Sequence, residues 1–115
     1  MKPPQTPTQT RFHAHVYFDE ATLEQARRLT DEAGGRFAVD LGRLHEKPVG
    51  PHPSWSRQIA FDATVYRELI DWLDANRGGL TILVHADTGD DLADHTDHAW
   101  WLGAPATLDV SLFAD

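Results

Sequence analysis

The sequence predicts an α+β fold, an antiparallel sheet with two helices on one of its faces. Two observations carry this prediction. Stretches of strictly alternating polar and apolar residues mark strands half in a core. Between them lie two longer segments whose apolar residues recur at helical spacing, each closed by a Gly-Gly pair.

The first strand is Arg11 to Phe18, where Phe12, Ala14, Val16 and Phe18 alternate with Arg11, His13, His15 and Tyr17. Asp19 is placed to cap a helix with Leu23, Ala26, Leu29 and Ala33 on one face, and Gly34-Gly35 is expected to end it. A second strand holds Phe37, Val39 and Leu41. Gly42 to Ser54, with three prolines and two histidines, reads as an irregular loop. Gln58 to Phe61 resumes a strand with Ile59 and Phe61 inward. Asp62 then caps a helix whose stripe is Val65, Tyr66, Leu69, Ile70, Trp72 and Leu73, ended by Gly78-Gly79. Leu80 to His85 is the fourth strand. A polar turn and Trp100-Trp101 follow, then a further strand around Leu108, Val110 and Leu112. The order β-α-β-β-α-β is that of the ferredoxin-like sandwich.

The chain has 115 residues, enough for one domain, and the expected division is a disordered lead-in over 1–10 followed by a single domain over 11–115. The formal net charge of -8 argues against nucleic acid and anionic membranes as partners. No apolar run approaches a membrane span, and the proline-bearing start does not resemble a signal peptide, so a cytoplasmic location is expected. The absence of cysteine excludes disulfides, thiolate metal sites and a thiol nucleophile.

The unusual total is histidine, seven beside only ten Lys and Arg. In the predicted topology both helices cover one sheet face and leave the other open. His13, His15 and His85 share that open face, because the first and last strands lie side by side and antiparallel. Two histidines in His-x-His on a strand point the same way, about 7 Å apart along the chain. Imidazoles so placed suit one metal ion, although partly exposed sheet residues with ordinary hydrogen bonds give the same pattern. His45-Glu46-Lys47-Pro48-Val49-Gly50-Pro51-His52-Pro53 reads either as a rim of ligands and acid/base groups or as a surface loop stiffened by proline. Asp87 to His98, with five aspartates and two histidines, lacks EF-hand spacing and reads also as a solvated turn. Trp100 and Trp101 suit an aromatic pocket or simple core packing.

These blocks, together with Asn76-Arg77-Gly78-Gly79-Leu80, Val84-His85, Thr88-Gly89-Asp90-Asp91 and Asp94-His95-Thr96-Asp97-His98-Ala99-Trp100-Trp101-Leu102-Gly103, resemble the DOPA 4,5-dioxygenase family of small fungal and bacterial ring-cleaving enzymes. The resemblance runs from Arg11 to about Asp109. It implies a homodimer or higher homo-oligomer that opens a catechol such as DOPA with dioxygen and non-haem Fe(II), with zinc or another divalent metal able to occupy the site in a purified sample. It also places all seven histidines in family blocks. Extradiol chemistry needs protein ligands, open positions and an acid/base group. On that basis His13, His15 and His85 are the expected metal ligands, and His52 and His98 the expected catalytic acid/base residues. Tyr17, His45, Glu46, His95 and Trp100 are expected to contact substrate. Because many such sites use two histidines and a carboxylate, Glu46 or a loop aspartate is the alternative third ligand. The competing readings are another metal-dependent enzyme acting on small aromatics without ring cleavage, and a dimeric binding module that buries its histidine face against a second copy.

Overall fold

The computed structural model describes residues 2–113, with the side chain of Leu112 excluded. Met1, Ala114 and Asp115, which the expected boundaries include, lie outside the described residues. The elements run β1 (Arg11–Phe18), α1 (Leu23–Arg36), β2 (Asp40–Leu41), β3 (Trp55–Asp62), α2 (Ala63–Asn76), β4 (Ile82–Ala86), α3 (Asp91–Asp94) and β5 (Ala99–Leu102). They form one antiparallel sheet in the order β2-β3-β1-β4-β5. The first four strands reproduce the ferredoxin-like arrangement, and β5 extends it beyond β4. Among the described residues no helix is long and apolar enough to cross a membrane.

The core lies between the sheet and its two long helices. Phe12, Val16, Ile59, Phe61, Ile82 and Val84 meet Ala26, Leu29 and Ala33 of α1 and Tyr66, Leu69 and Leu73 of α2. Phe12 is fully buried between Phe61 (ring centroids 5.6 Å apart) and Tyr66 (4.8 Å). Its burial keeps the adjacent His13 on the opposite face, since neighbouring strand residues point opposite ways. Residues 2–10 contain no helix or strand. The Pro4 carbonyl accepts a hydrogen bond from the Tyr66 hydroxyl at 2.7 Å, and the Thr10 carbonyl accepts one from the Ala63 amide at 2.9 Å.

Four local expectations are corrected. Helix α1 continues through Gly34 and Gly35 and ends only where Phe37 becomes extended (φ -126°, ψ 154°). Gly34 serves packing instead, because a Cβ there would lie 2.7 Å from Leu41 Cδ1. Strand β2 shrinks to Asp40–Leu41, since Val39 N–H turns back to the Phe37 carbonyl at 2.9 Å. The fifth strand is Ala99–Leu102 rather than the segment around Leu108, Val110 and Leu112. There, Asp109 Oδ1 accepts from the Ser111 amide (3.2 Å) and hydroxyl (2.6 Å), and residues Val110–Phe113 form a single 3-10 turn.

The fourth correction concerns the second sheet face, which is not open. The loop between β2 and β3 brings His52 over it, and α3 brings His95. The C-terminal run joins them: the Asp109 amide donates to the Pro51 carbonyl at 2.9 Å, and Phe113 stacks on His95 with centroids 4.8 Å apart. His15 and His85 are left only 7% and 3% exposed.

The two α1 glycines separate packing from propensity. Nothing lies within 4 Å of a Cβ added at Gly35, so Gly35→Ala should stabilise the protein by ~0.5–1 kcal/mol. Gly34→Ala meets Leu41 and should fall below Gly35→Ala by ~1 kcal/mol or more. Urea unfolding of both variants checks the difference, and equal gains would remove the packing role of Gly34.

Candidate metal centre and active-site cavity

The register of β1 and β4 sets the site. His13 stands directly opposite His85, and His15 lies one pleat along, opposite Leu83. One nitrogen from each of His13, His15 and His85 falls within 4.8 Å of the others. The His15 and His85 Nε2 atoms approach to 2.9 Å. A metal about 2.0–2.1 Å from each imidazole nitrogen sets its ligands roughly 3 Å apart, a spacing His15 and His85 already have, so the three could hold a single small cation as His13 draws in.

Hydrogen bonds fix the tautomers. His85 Nδ1 lies 2.7 Å from the Ala86 carbonyl, which only accepts, so the neutral ring carries its proton on Nδ1 and its lone pair on Nε2. That lone pair accepts from His15 Nε2–H. A cation among the three would take the place of this shared proton, and the Ala86 carbonyl would orient His85 as a ligand. His13 Nε2 lies 3.5 Å from Asp87 Oδ2. Asp87 is thus the carboxylate placed beside the cluster, whereas Glu46 lies apart with Arg43, Leu44 and Lys47 on the surface.

Around the three rings is a cavity of about 180 Å³, lined by His13, His15, His52, Gln58, His85, Asp87, Asp91, Asp94 and His95. His52 lies against His15, with centroids 4.0 Å apart. Its Nδ1 is 2.8 Å from the Tyr17 hydroxyl. Burial pushes the Tyr17 phenol well above its ordinary range, so it keeps its proton and can donate to His52 Nδ1, an arrangement that puts the His52 proton on Nε2. Tyr17 therefore acts behind His52 and does not line the cavity. His95 stands 6.3 Å from the His52 ring and 4.2 Å from the His85 ring, with Nδ1 2.8 Å from the Asp91 carbonyl. In the neutral ring this contact puts the proton on Nδ1 and the lone pair on Nε2.

Other expected site residues fall elsewhere. His98 enters β5, its carbonyl accepting from Ala86 N–H at 3.0 Å and its ring near the Gln9 amide at 3.3 Å, outside the cavity. His45 exchanges backbone hydrogen bonds with Ser56 and sits in the surface depression with Glu46. Trp100 packs into the helix-side core because it opposes Val84, while Trp101 takes the histidine face, 6.0 Å from Tyr17. Gln58, Asp87 and Asp94 line the cavity without having been singled out one by one from the sequence. Gln58 had a signal: with Ile59 and Phe61 inward, strand alternation puts it beside His15, its partner in register.

Desolvation decides the charge of the cluster. Burial lowers the pKa of His15 well below the ordinary value, with the neighbouring imidazoles adding to the effect. Burial first, then His95, lowers His52 to about 4. Burial lowers His85 to about 3, against the opposing Ala86 hydrogen bond. His13 is lowered too, by burial, although Asp87 opposes the shift. These four imidazoles are neutral at pH 7, so a cation displaces no second proton from them, and His15 need only shift its proton from Nε2 to Nδ1.

A stability prediction follows from the same shifts. In the unfolded chain these imidazoles titrate near about 6.5. As pH falls below that value the unfolded chain gains protons that folded His52 and His85 refuse. Their contribution is therefore complete above pH ~6.5 and is lost progressively as pH falls toward ~4. The Tm of metal-free protein should decline from pH 7 to 4.5, and His85→Gln should flatten that decline. A slope unchanged by His85→Gln would remove His85 as a source of the acid sensitivity.

Comparison with known proteins agrees with the resemblance read from the residues. A family model described as the Dopa 4,5-dioxygenase family matches residues 12–112. A DOPA 4,5-dioxygenase of Amanita muscaria is 33% identical over 109 residues, covering 87% of this chain and 48% of its own. An uncharacterised 21.2 kDa protein of Botryotinia fuckeliana is 34% identical over 113 residues, 88% of this chain and 62% of its own. The chain thus spans about half to three-fifths of the length of these curated relatives. A crystal structure from Nostoc punctiforme, provisionally designated a dioxygenase, superposes with a TM-score of 0.86 at 46% identity, covering 89% of each chain. The family match extends over the sheet, both long helices and every residue of the histidine cavity, and the chain belongs to the Dopa 4,5-dioxygenase family.

Proposed function

We propose that this protein is a ring-opening dioxygenase of the extradiol type that acts on a single-ring catechol such as DOPA, with Fe(II) held by His13, His15 and His85. The observation that carries the reading is the convergence of those three imidazoles at one end of a small cavity flanked by two more. A ferrous ion there would supply the redox partner that lets a catechol react with dioxygen. Asp87, 3.5 Å from His13 Nε2, is the carboxylate suited to orient that ligand or to take part in the metal set.

The protein's own groups divide the remaining work. The cavity, about 180 Å³, is smaller than the ~300–1,000 Å³ of sites for drug-sized ligands and suits one ring. His52 presents Nε2–H, a donor for a ring oxygen, and Tyr17 holds its orientation through Nδ1. His95 presents a lone pair on Nε2, an acceptor for a ring hydroxyl. A donor and an acceptor side by side over the metal ligands, with ring centroids 6.3 Å apart, can orient a catechol and hold its protons. The covering loop and C-terminal run limit water at the reacting centre. Because the chain's own segments bury the histidine face, burial of His15 and His85 does not need a second copy. A homodimer would use another surface.

Two experiments test this reading. Protein loaded anaerobically with Fe(II) should consume oxygen equimolar with DOPA or a simple catechol and yield a yellow ring-opened product. No uptake across a broad catechol panel at full iron occupancy would overturn the activity. His13→Ala, His15→Ala and His85→Ala should each weaken metal binding by more than the ~10–100-fold typical of losing an outer-shell partner. His52→Ala should instead retain iron and lose ~10²-fold or more in kcat. Loss of iron from His52→Ala would make His52 a ligand.

A further inference from the structure

His95 reaches the cavity from an element that cannot hold itself. Helix α3 is a single turn, Asp91–Asp94, and a turn of that length is not stable from its backbone alone. Asp90 caps it, Oδ1 accepting the Ala93 amide at 3.1 Å, and the side chain of Asp94, only 2% exposed, ties it to the sheet. Asp94 Oδ2 accepts the Thr88 amide at 2.8 Å, and Oδ1 accepts the Thr88 hydroxyl at 2.7 Å. Thr88 lies two residues beyond β4, the strand that carries His85. The grip therefore ties His95, next in sequence to Asp94, to the same strand end as His85, and the two rings lie 4.2 Å apart. The Asp91 carbonyl that fixes the His95 tautomer belongs to the same turn. Among the described residues no Lys or Arg lines the cavity beside this carboxylate, and its two oxygens each accept a hydrogen bond from Thr88.

We propose that Asp94 is a positioning residue: by gripping Thr88 it places the His95 ring, with its free Nε2, at the cavity to receive a substrate hydroxyl. The inference rests on the proposed catechol reading for what His95 receives, but not for where His95 is held. Geometry, not charge, is the operative property, so an isosteric amide should serve. The Asn carbonyl can accept the Thr88 N–H, and its NH2 can donate to the Thr88 hydroxyl.

The test compares Asp94→Ala, Asp94→Asn and Thr88→Val, with His95→Ala as reference, in the full chain. In metal-free protein, 15N shifts of the His95 ring should report the Nδ1–H tautomer in the wild type and in Asp94→Asn, and lose it in Asp94→Ala. Thr88→Val keeps the backbone half of the grip and should show a partial loss. With Fe(II) loaded and oxygen absent, 4-nitrocatechol affinity should fall ~10–100-fold in Asp94→Ala and recover in Asp94→Asn. Adding Asp94→Ala to His95→Ala should weaken it no further, because the two act through one ring. An unchanged His95 tautomer in Asp94→Ala, an Asp94→Asn as impaired as Asp94→Ala, or additive losses in the double variant would overturn the proposal. If wild-type protein bound no catechol, the functional reading would fail, while the ring shifts would still decide whether Asp94 places His95.

Discussion

The pairing register between β1 and β4 is the constraint on which the rest of the structure depends. It sets His13 opposite His85 on one face and, by the same alternation, Ala14 opposite Val84 on the other. A slip of one residue would carry the imidazoles into the helix-side core and Phe12 and Val16 out of it. The helices hold this register through the core, since Phe12, Val16, Ile82 and Val84 are all fully buried. Packing on one face thus fixes the geometry of the imidazoles on the other, and the candidate site needs no separate scaffold.

The second face has a different logic. Its strand residues supply three imidazoles that could hold a metal ion, but its enclosure comes from the proline-bearing loop, the single turn of α3 and the C-terminal run. Enclosure is what gives the imidazoles their chemistry. Without His52 and His95 above them, His15 and His85 would lie closer to water and nearer their ordinary protonation. Burying several imidazoles together is costly if they carry charge and tolerable if they stay neutral and bond to one another, as His15 does with His85 and Tyr17 with His52.

How much of this was legible in the sequence follows the same divide. Alternation in Arg11 to Phe18 and Leu80 to His85, with the split β-α-β order, was enough to bring His13, His15 and His85 together, because strand period and topology are local signals. The loops carry no such period. Nothing in the spacing of His95 and His98 tells which one turns inward; that depends on Asp90 capping the short helix and Asp94 reaching back to Thr88. Trp100 and Trp101 were ambiguous for a related reason, since their strand had been expected nearer Leu108. Once β5 is placed at Ala99–Leu102, its pairing with β4 assigns each tryptophan a face. Gly34 shows the opposite limit: a Gly-Gly pair looks like a stop, but the space it leaves for Leu41 is visible only in three dimensions.

The Asp109–Pro51 hydrogen bond joins two chain segments that are remote in sequence and belong to no strand or helix. The walls of the cavity nearest the sheet are therefore inherited with the fold, whereas its roof is assembled from connectors. Connectors change length and composition more readily than paired strands do. Divergence within this architecture can accordingly reshape the roof of the cavity while the three-histidine floor stays intact, so that the two can change as separate evolutionary events.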